Sequence, residues 1–213
     1  MKIITNCTDS NAKTVLRTSL KIFCQYTPLR ELEVINITYD KSRDCPICFK
    51  QRGFIYLASD YPYWSQTAYQ LFHELCHCAI RNHIEQRFLW FEESICELSS
   101  YFFLIKLKNF WIKNNINFLD DKGKTYAYNF ETYAYNNMKK AFPFQVNQTL
   151  NDNLSQHILH LMECDQYIRK LNANIALILM PIFSQYTDLW KAITYLGGSK
   201  THDNFQSFLL DWR

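Results

Sequence analysis

The chain has 213 residues, 48% of them hydrophobic and 20% charged, the usage of an ordinary globular protein long enough to bury its own core, which excludes disorder and coiled coil. It has only 4 glycines, against a usual share of about 7%, which argues against glycine-rich phosphate loops and a dinucleotide-binding fold and favours helices. The net charge of +3 is too small for nucleic-acid binding by field alone, so no nucleic-acid partner is expected.

The N-terminus, Met1-Lys2-Ile3-Ile4-Thr5-Asn6, has no apolar stretch of signal-peptide length. The longest apolar run, residues 175–183, is too short to span a bilayer and contains Pro181. The 8 cysteines show no framework spacing. A cytoplasmic chain with reduced thiols and no membrane association is expected. The Asn-X-Thr/Ser triplets at Asn6, Asn36, Asn147 and Asn153 then carry no glycan.

In chain order, residues 11–26 place Val15, Leu16, Leu20, Ile22 and Phe23 at helical spacing. Residues 32–39 alternate and are β-branched, which predicts a strand. Asp44-Cys45-Pro46-Ile47-Cys48 reads as a turn, and residues 53–59 as a second strand. Helices are expected over 65–81 and 89–106. Beyond 107 the pattern stays helical. Thr125-Tyr126-Ala127-Tyr128-Asn129 recurs as Thr132-Tyr133-Ala134-Tyr135-Asn136, an offset of seven that stacks like residues on one helical face and points to packing. Residues 153–171 and 174–196 suggest two more helices, the second kinked or split at Pro181. Leu196-Gly197-Gly198-Ser199 is a stop, and 204–212 a short final helix.

The chemistry concentrates in His73-Glu74-Leu75-Cys76-His77, an H-E-x-x-H motif that chance supplies in roughly one such chain in a hundred. On a helix, residues i and i+4 share a face, so both imidazoles can address one ion. Glu74, about 100° around the helix, would lie beside a metal-bound water. The apolar stripe Ala68, Leu71, Phe72, Leu75 and Ala79 runs along another side, so these are not simple core histidines. A catalytic zinc usually takes a third protein ligand. Glu92, Glu93 and Glu97 follow on the next helix, where Phe91, Ile95, Leu98 and Phe102 form the core stripe. Glu93 could ligate, with Glu92 its rival, and Glu97 could accept the outer N–H of a ligand histidine.

Residues 73–79 and Glu93-Ser94-Ile95-Cys96-Glu97 resemble the zinc helix and the E-x-x-x-D helix of the thermolysin family, gluzincin-type zincin metallopeptidases, with Glu in place of Asp. Trp90-x-x-Glu93 is similar to the W-x-x-E of zinc aminopeptidases. The order of strand and zinc helix also resembles the small intracellular metalloproteases that cleave phage repressors. The likeness covers residues 53–104, and only 15 residues separate His77 from Glu93, fewer than in the thermolysin-type enzymes. It implies an α+β, helix-rich zincin-like fold with a small sheet before the H-E-x-x-H helix. The zincin core would occupy residues 1–107, followed by a helical C-terminal part over 108–213.

The same likeness implies one zinc ion held by His73, His77 and Glu93, with Glu74 as general base and Glu97 behind a ligand histidine. The activity implied is hydrolysis of a peptide or protein by a metal-activated water. The strand over 54–58 would bind the peptide by strand addition. Tyr133, Tyr135, His157 and His160 are candidate transition-state donors. Two further readings stay open: a zincin-fold module that keeps the metal but acts by binding a partner, and a protease with a single protein target such as a repressor. Cys45-Pro46-Ile47-Cys48 is a lone C-x-x-C, best read as a structural turn, with metal binding and redox chemistry as alternatives. Cys76, Cys78 and Cys96 are expected as small buried fillers.

Overall fold

Short β-branched runs build the sheet. Lys2–Thr5 (β1), Val34–Tyr39 (β2), Ile47–Phe49 (β3) and Phe54–Leu57 (β4) form four strands in the order β1-β2-β4-β3. The structure, a computed structural model, describes residues 1–29, 32–141, 156–198 and 200–212. Strands β1, β2 and β4 are parallel, and β3 runs antiparallel along the outer edge of β4. The register sets Ile37 opposite Ile55 and Tyr39 opposite Leu57. Ile35, Ile37, Ile55 and Leu57 are fully buried on the inner face, while Ile4, Phe49 and Phe54 are exposed. Gly53, at φ +61, turns the chain into β4, where a Cβ would stand 2.9 Å from the Val34 carbonyl oxygen.

Helix α1 (Ser10–Tyr26) crosses between β1 and β2, its first turn capped by Asp9, whose carboxylate accepts from the Ala12 N–H at 2.6 Å. Helix α2 (Trp64–Ala79) buries Ala68, Leu71, Phe72, Leu75 and Ala79, the stripe expected of it. Helix α3 (Leu89–Lys113) is longer than its sequence pattern suggests and is buried on several sides. Besides the expected stripe it hides Ser94, Ser99, Ser100, Tyr101, Phe103 and Trp111. A helix apolar nearly all round is a central helix. It packs on α1, α2, α4 (Ala127–Met138) and α6 (Arg169–Gln185), crossing position 107 without interruption. Helices α5 (Gln156–Cys164), α7 (Leu189–Ala192) and α8 (Phe205–Asp211) complete the described α-helices. One apolar cluster runs through them from Cys7 to Phe208.

The architecture is thus α+β, helix-rich, with a small mixed sheet. Several local expectations change. Strands β1 and β3 were not anticipated, and β3 occupies ground read as a turn. The strand expected to lie open for strand addition, β4, is interior: β2 and β3 pair with its two sides, and the edge belongs to β3. The break between the late helices falls at residues 165–168, and α6 continues through Pro181 without splitting. The triplets at Asn147 and Asn153 and residues 153–155 lie outside the described residues. Among the described residues, no helix is long and apolar enough to cross a membrane, and the cysteines are all free thiols.

Candidate metal centre

The site forms where α2 and α3 lie side by side and antiparallel. Small residues allow the close approach: the Ser99 hydroxyl donates to the Phe72 carbonyl, and that of Ser100 to the Tyr69 carbonyl, both at 2.9 Å. This contact sets the H-E-x-x-H turn of α2 against the Glu92–Glu97 stretch of α3. The His73 and His77 rings lie 5.0 Å apart between centroids, with side chains only 18% and 13% exposed.

Each imidazole has an inner and an outer nitrogen, with different partners. The Nε2 atoms face Glu93: His73 lies 3.3 Å from one carboxylate oxygen and His77 3.6 Å from the other. The Nδ1 atoms face separate carboxylates. That of His77 donates to Glu92 Oε1 at 2.6 Å, and that of His73 lies 3.8 Å from Glu97 Oε2. Glu97 Oε1 in turn accepts from the Tyr69 hydroxyl and, at 2.5 Å, from the Tyr101 hydroxyl. Glu92, almost fully buried, pairs with the Lys50 ammonium just beyond β3. Among the described residues its Oε2 has no hydrogen-bond partner.

Electrostatics follow from this packing. Burial alone would lower the His73 pKa, but the Glu93 hydrogen bond and the charges of Glu74, Glu93 and Glu97 push it up to about 9. His77 is likewise raised: burial opposes its charge, and Glu92 and Glu93 outweigh it. Burial would raise Glu93, yet the two histidines hold it down to about 2. Glu74 moves the other way. The residue is 3% exposed, and burial raises its pKa against the pull of both histidines. Burial and the nearby Glu97 charge also raise the Tyr69 and Tyr101 phenols.

Two third partners therefore stand near the histidine pair. One is Glu93, ionised and facing both Nε2 atoms. The other is Cys96, which forms with His73 and His77 a trio whose ligand atoms lie within 4.8 Å of one another. Cys96 is fully buried, and burial together with its hydrogen bond to Cys76 raises its thiol well above the ordinary range. The closest carboxylate to His73 is Glu93, and the closest to His77 is Glu92.

The remaining candidates divide. Tyr133 stacks edge-on against Tyr69, ring centroids 5.6 Å apart, and borders a cleft of about 250 Å³ between the start of α2 and α4. Tyr135 is exposed on α4. His160 lies 3.8 Å from Cys164 within α5. Among the described residues no hydrogen bond or ion pair links Tyr135 or His160 to the histidine pair. The His157 side chain lies outside the described residues. Sequence reasoning missed Tyr69, Tyr101 and Lys50. The tyrosines carried a usable signal, one turn before His73 and one turn after Glu97. Lys50 carried none, because only the fold brings β3 to α3. The C-x-x-C does not act as a unit: Cys45 is exposed, and Cys48 meets Cys78, their sulfurs 3.0 Å apart.

No family model, no curated protein and no solved structure matches this chain.

Proposed function

We propose that the chain is a zinc-dependent peptidase built on a zincin-like α+β core, with His73, His77 and Glu93 as the metal ligands. The observation that carries this reading is the division of labour in the histidine pair: both Nε2 atoms turn to one ionised carboxylate, while each Nδ1 has its own outer carboxylate. That is the donor set a tetrahedral zinc uses, with the outer partners that orient ligand histidines. The residues present fit the ion. Glu93 is preferred to Cys96 because it is ionised and faces both imidazoles, and to Glu92 because Glu92 is already committed to His77 and Lys50.

When bound, zinc acidifies a coordinated water and polarises the scissile carbonyl. The protein does the rest. Glu74 accepts a proton from the attacking water and delivers it to the leaving amine; its buried carboxyl, with its raised pKa, suits that exchange. Glu97, held by two phenols, fixes the His73 ring, and Glu92 fixes His77. Tyr133 is our candidate for stabilising the developing oxyanion, supported by its contact with Tyr69. An extended substrate would add along β3, the edge strand of the described sheet that packs against α2.

The test is zinc per chain in protein purified without added metal, followed by peptide hydrolysis. We expect about one zinc in the wild type, lost in His77→Ala. Glu74→Gln should keep the metal and lose at least about a hundredfold in kcat. Zinc absent from wild type and variant, both folded, overturns the reading. Zinc without hydrolysis of any peptide selects a metal-holding binding module instead.

A further inference from the structure

We propose that Cys48 and Cys78 form a reversible disulfide that fastens the edge strand β3 to the site helix α2. The two sulfurs already touch, 3.0 Å apart across 30 residues of chain. A disulfide needs about 2.05 Å, so they must close by about 1 Å. Strand β3 can supply that movement, being three residues long and, among the described residues, paired on one side only. Cys48 is partly exposed, whereas Cys78 is fully buried on α2, directly after His77. An oxidant thus reaches one member and the other resolves it. The remaining six thiols are arranged differently: Cys76 and Cys96 share a hydrogen bond deep in the core, Cys7 is buried, Cys24 is half-buried, and Cys45 and Cys164 are exposed.

The chemistry balances with a peroxide as oxidant. The Cys48 sulfur attacks one peroxide oxygen, an S–O bond forms, the O–O bond breaks and water leaves. The Cys78 sulfur then attacks the sulfenic sulfur, the S–S bond forms, the S–O bond breaks and a second water leaves. Two thiols are oxidised and one peroxide is reduced to two waters. A dithiol reductant reverses the bond by exchange. The Cys78 hydrogen bond, burial and the nearby Glu74 charge keep the Cys48 thiol protonated, so the link forms slowly, under sustained oxidant. None of His73, His77 and Glu93 is consumed. Lys50, two residues beyond Cys48, holds Glu92, so the tie pins the segment that supports His77. Resting on the metallopeptidase reading, the link draws β3 onto α2, narrows the approach for an extended peptide and raises KM several-fold.

The full chain is incubated with hydrogen peroxide, alkylated and digested with trypsin without reduction. Residues 44–50 and 53–81 should appear as one linked pair of peptides that dithiothreitol separates. The link should persist in Cys45→Ser and Cys76→Ser and vanish in Cys48→Ser and Cys78→Ser. Cys48→Ser, at the strand edge, guards against a misfolded Cys78 variant. The oxidised chain should melt several degrees higher, as expected for a closed loop of this length. A link that vanishes in Cys45→Ser, a Cys45–Cys48 disulfide, or no link while Cys48 remains alkylatable overturns the proposal. Mass and labelling report the crosslink whether or not the chain hydrolyses peptides, so its failure is distinct from failure of the peptidase reading.

Discussion

Tyr69 and Tyr101 reach Glu97 one from each helix, and their two hydroxyls converge on a single carboxylate oxygen. That leaves Glu97 Oε2 facing His73 Nδ1, 3.8 Å away and clear of the proposed ligand atom. Removing one phenolic donor should loosen the ring and leave the fold intact. Tyr101→Phe is expected to weaken zinc binding about tenfold, the lower end of what outer partners contribute, measured by competition with a chromophoric chelator. The variant's circular dichroism should match the wild type. His73 makes a second prediction, through pH. Its folded pKa of about 9 exceeds its ordinary 6.5, so in protein stripped of metal its contribution is fully present below pH 6.5 and is lost as the pH rises through 9. Metal binding needs the same nitrogen without its proton and so strengthens over that range. Melting temperature should therefore fall with pH in the stripped protein and rise with pH at limiting zinc. Parallel slopes would contradict the shared use of His73.

The α2–α3 pair was legible at the level of elements because helices repeat locally. Two histidines four apart and two glutamates four apart announce a common face before any packing is known. What could not be read depends on contacts between distant segments. The Cys45–Cys48 stretch has the composition of a turn, and only pairing with β4 makes its end a strand. Strand β1 has four residues, too few for alternation to declare itself. Glu92 and Glu93 are neighbours in sequence, and only the spacing of Glu93 to Glu97 favours one of them locally; the placement of Lys50 and His77 gives Glu92 its partners. The connection from α2 to α3 has its own brace. Gly197, at φ +81, lies against it, where a Cβ would come within 2.5 Å of the His83 carbonyl oxygen, and the Gly198 N–H donates to that oxygen at 2.9 Å. Gly197→Ala should cost about 2 kcal/mol, seen as a lower urea midpoint with an unchanged slope.

For the molecule as a whole, α3 is the axis on which the other helices depend. Trp111, near its end, is fully buried and donates its indole N–H to Thr18 of α1 at 3.0 Å. A chain ending at residue 107 would lose that anchor together with α4 and α6. We expect such a fragment to lack a cooperative thermal transition, whereas the full chain shows one that zinc raises. At free zinc one hundred times Kd the gain is about 2.7 kcal/mol, and a chelator should remove it.

The edge strand sets a limit of its own. Of three residues in β3, only alternate ones direct their N–H and C=O groups away from β4. A guest strand laid there finds a short ladder, so backbone pairing can hold it in line but contributes little to telling one sequence from another. Discrimination would then fall to the side chains at the ends of that ladder, Ile47 and Phe49, both exposed. Such a protein would recognise a short reading frame and a few particular side chains rather than a long extended segment.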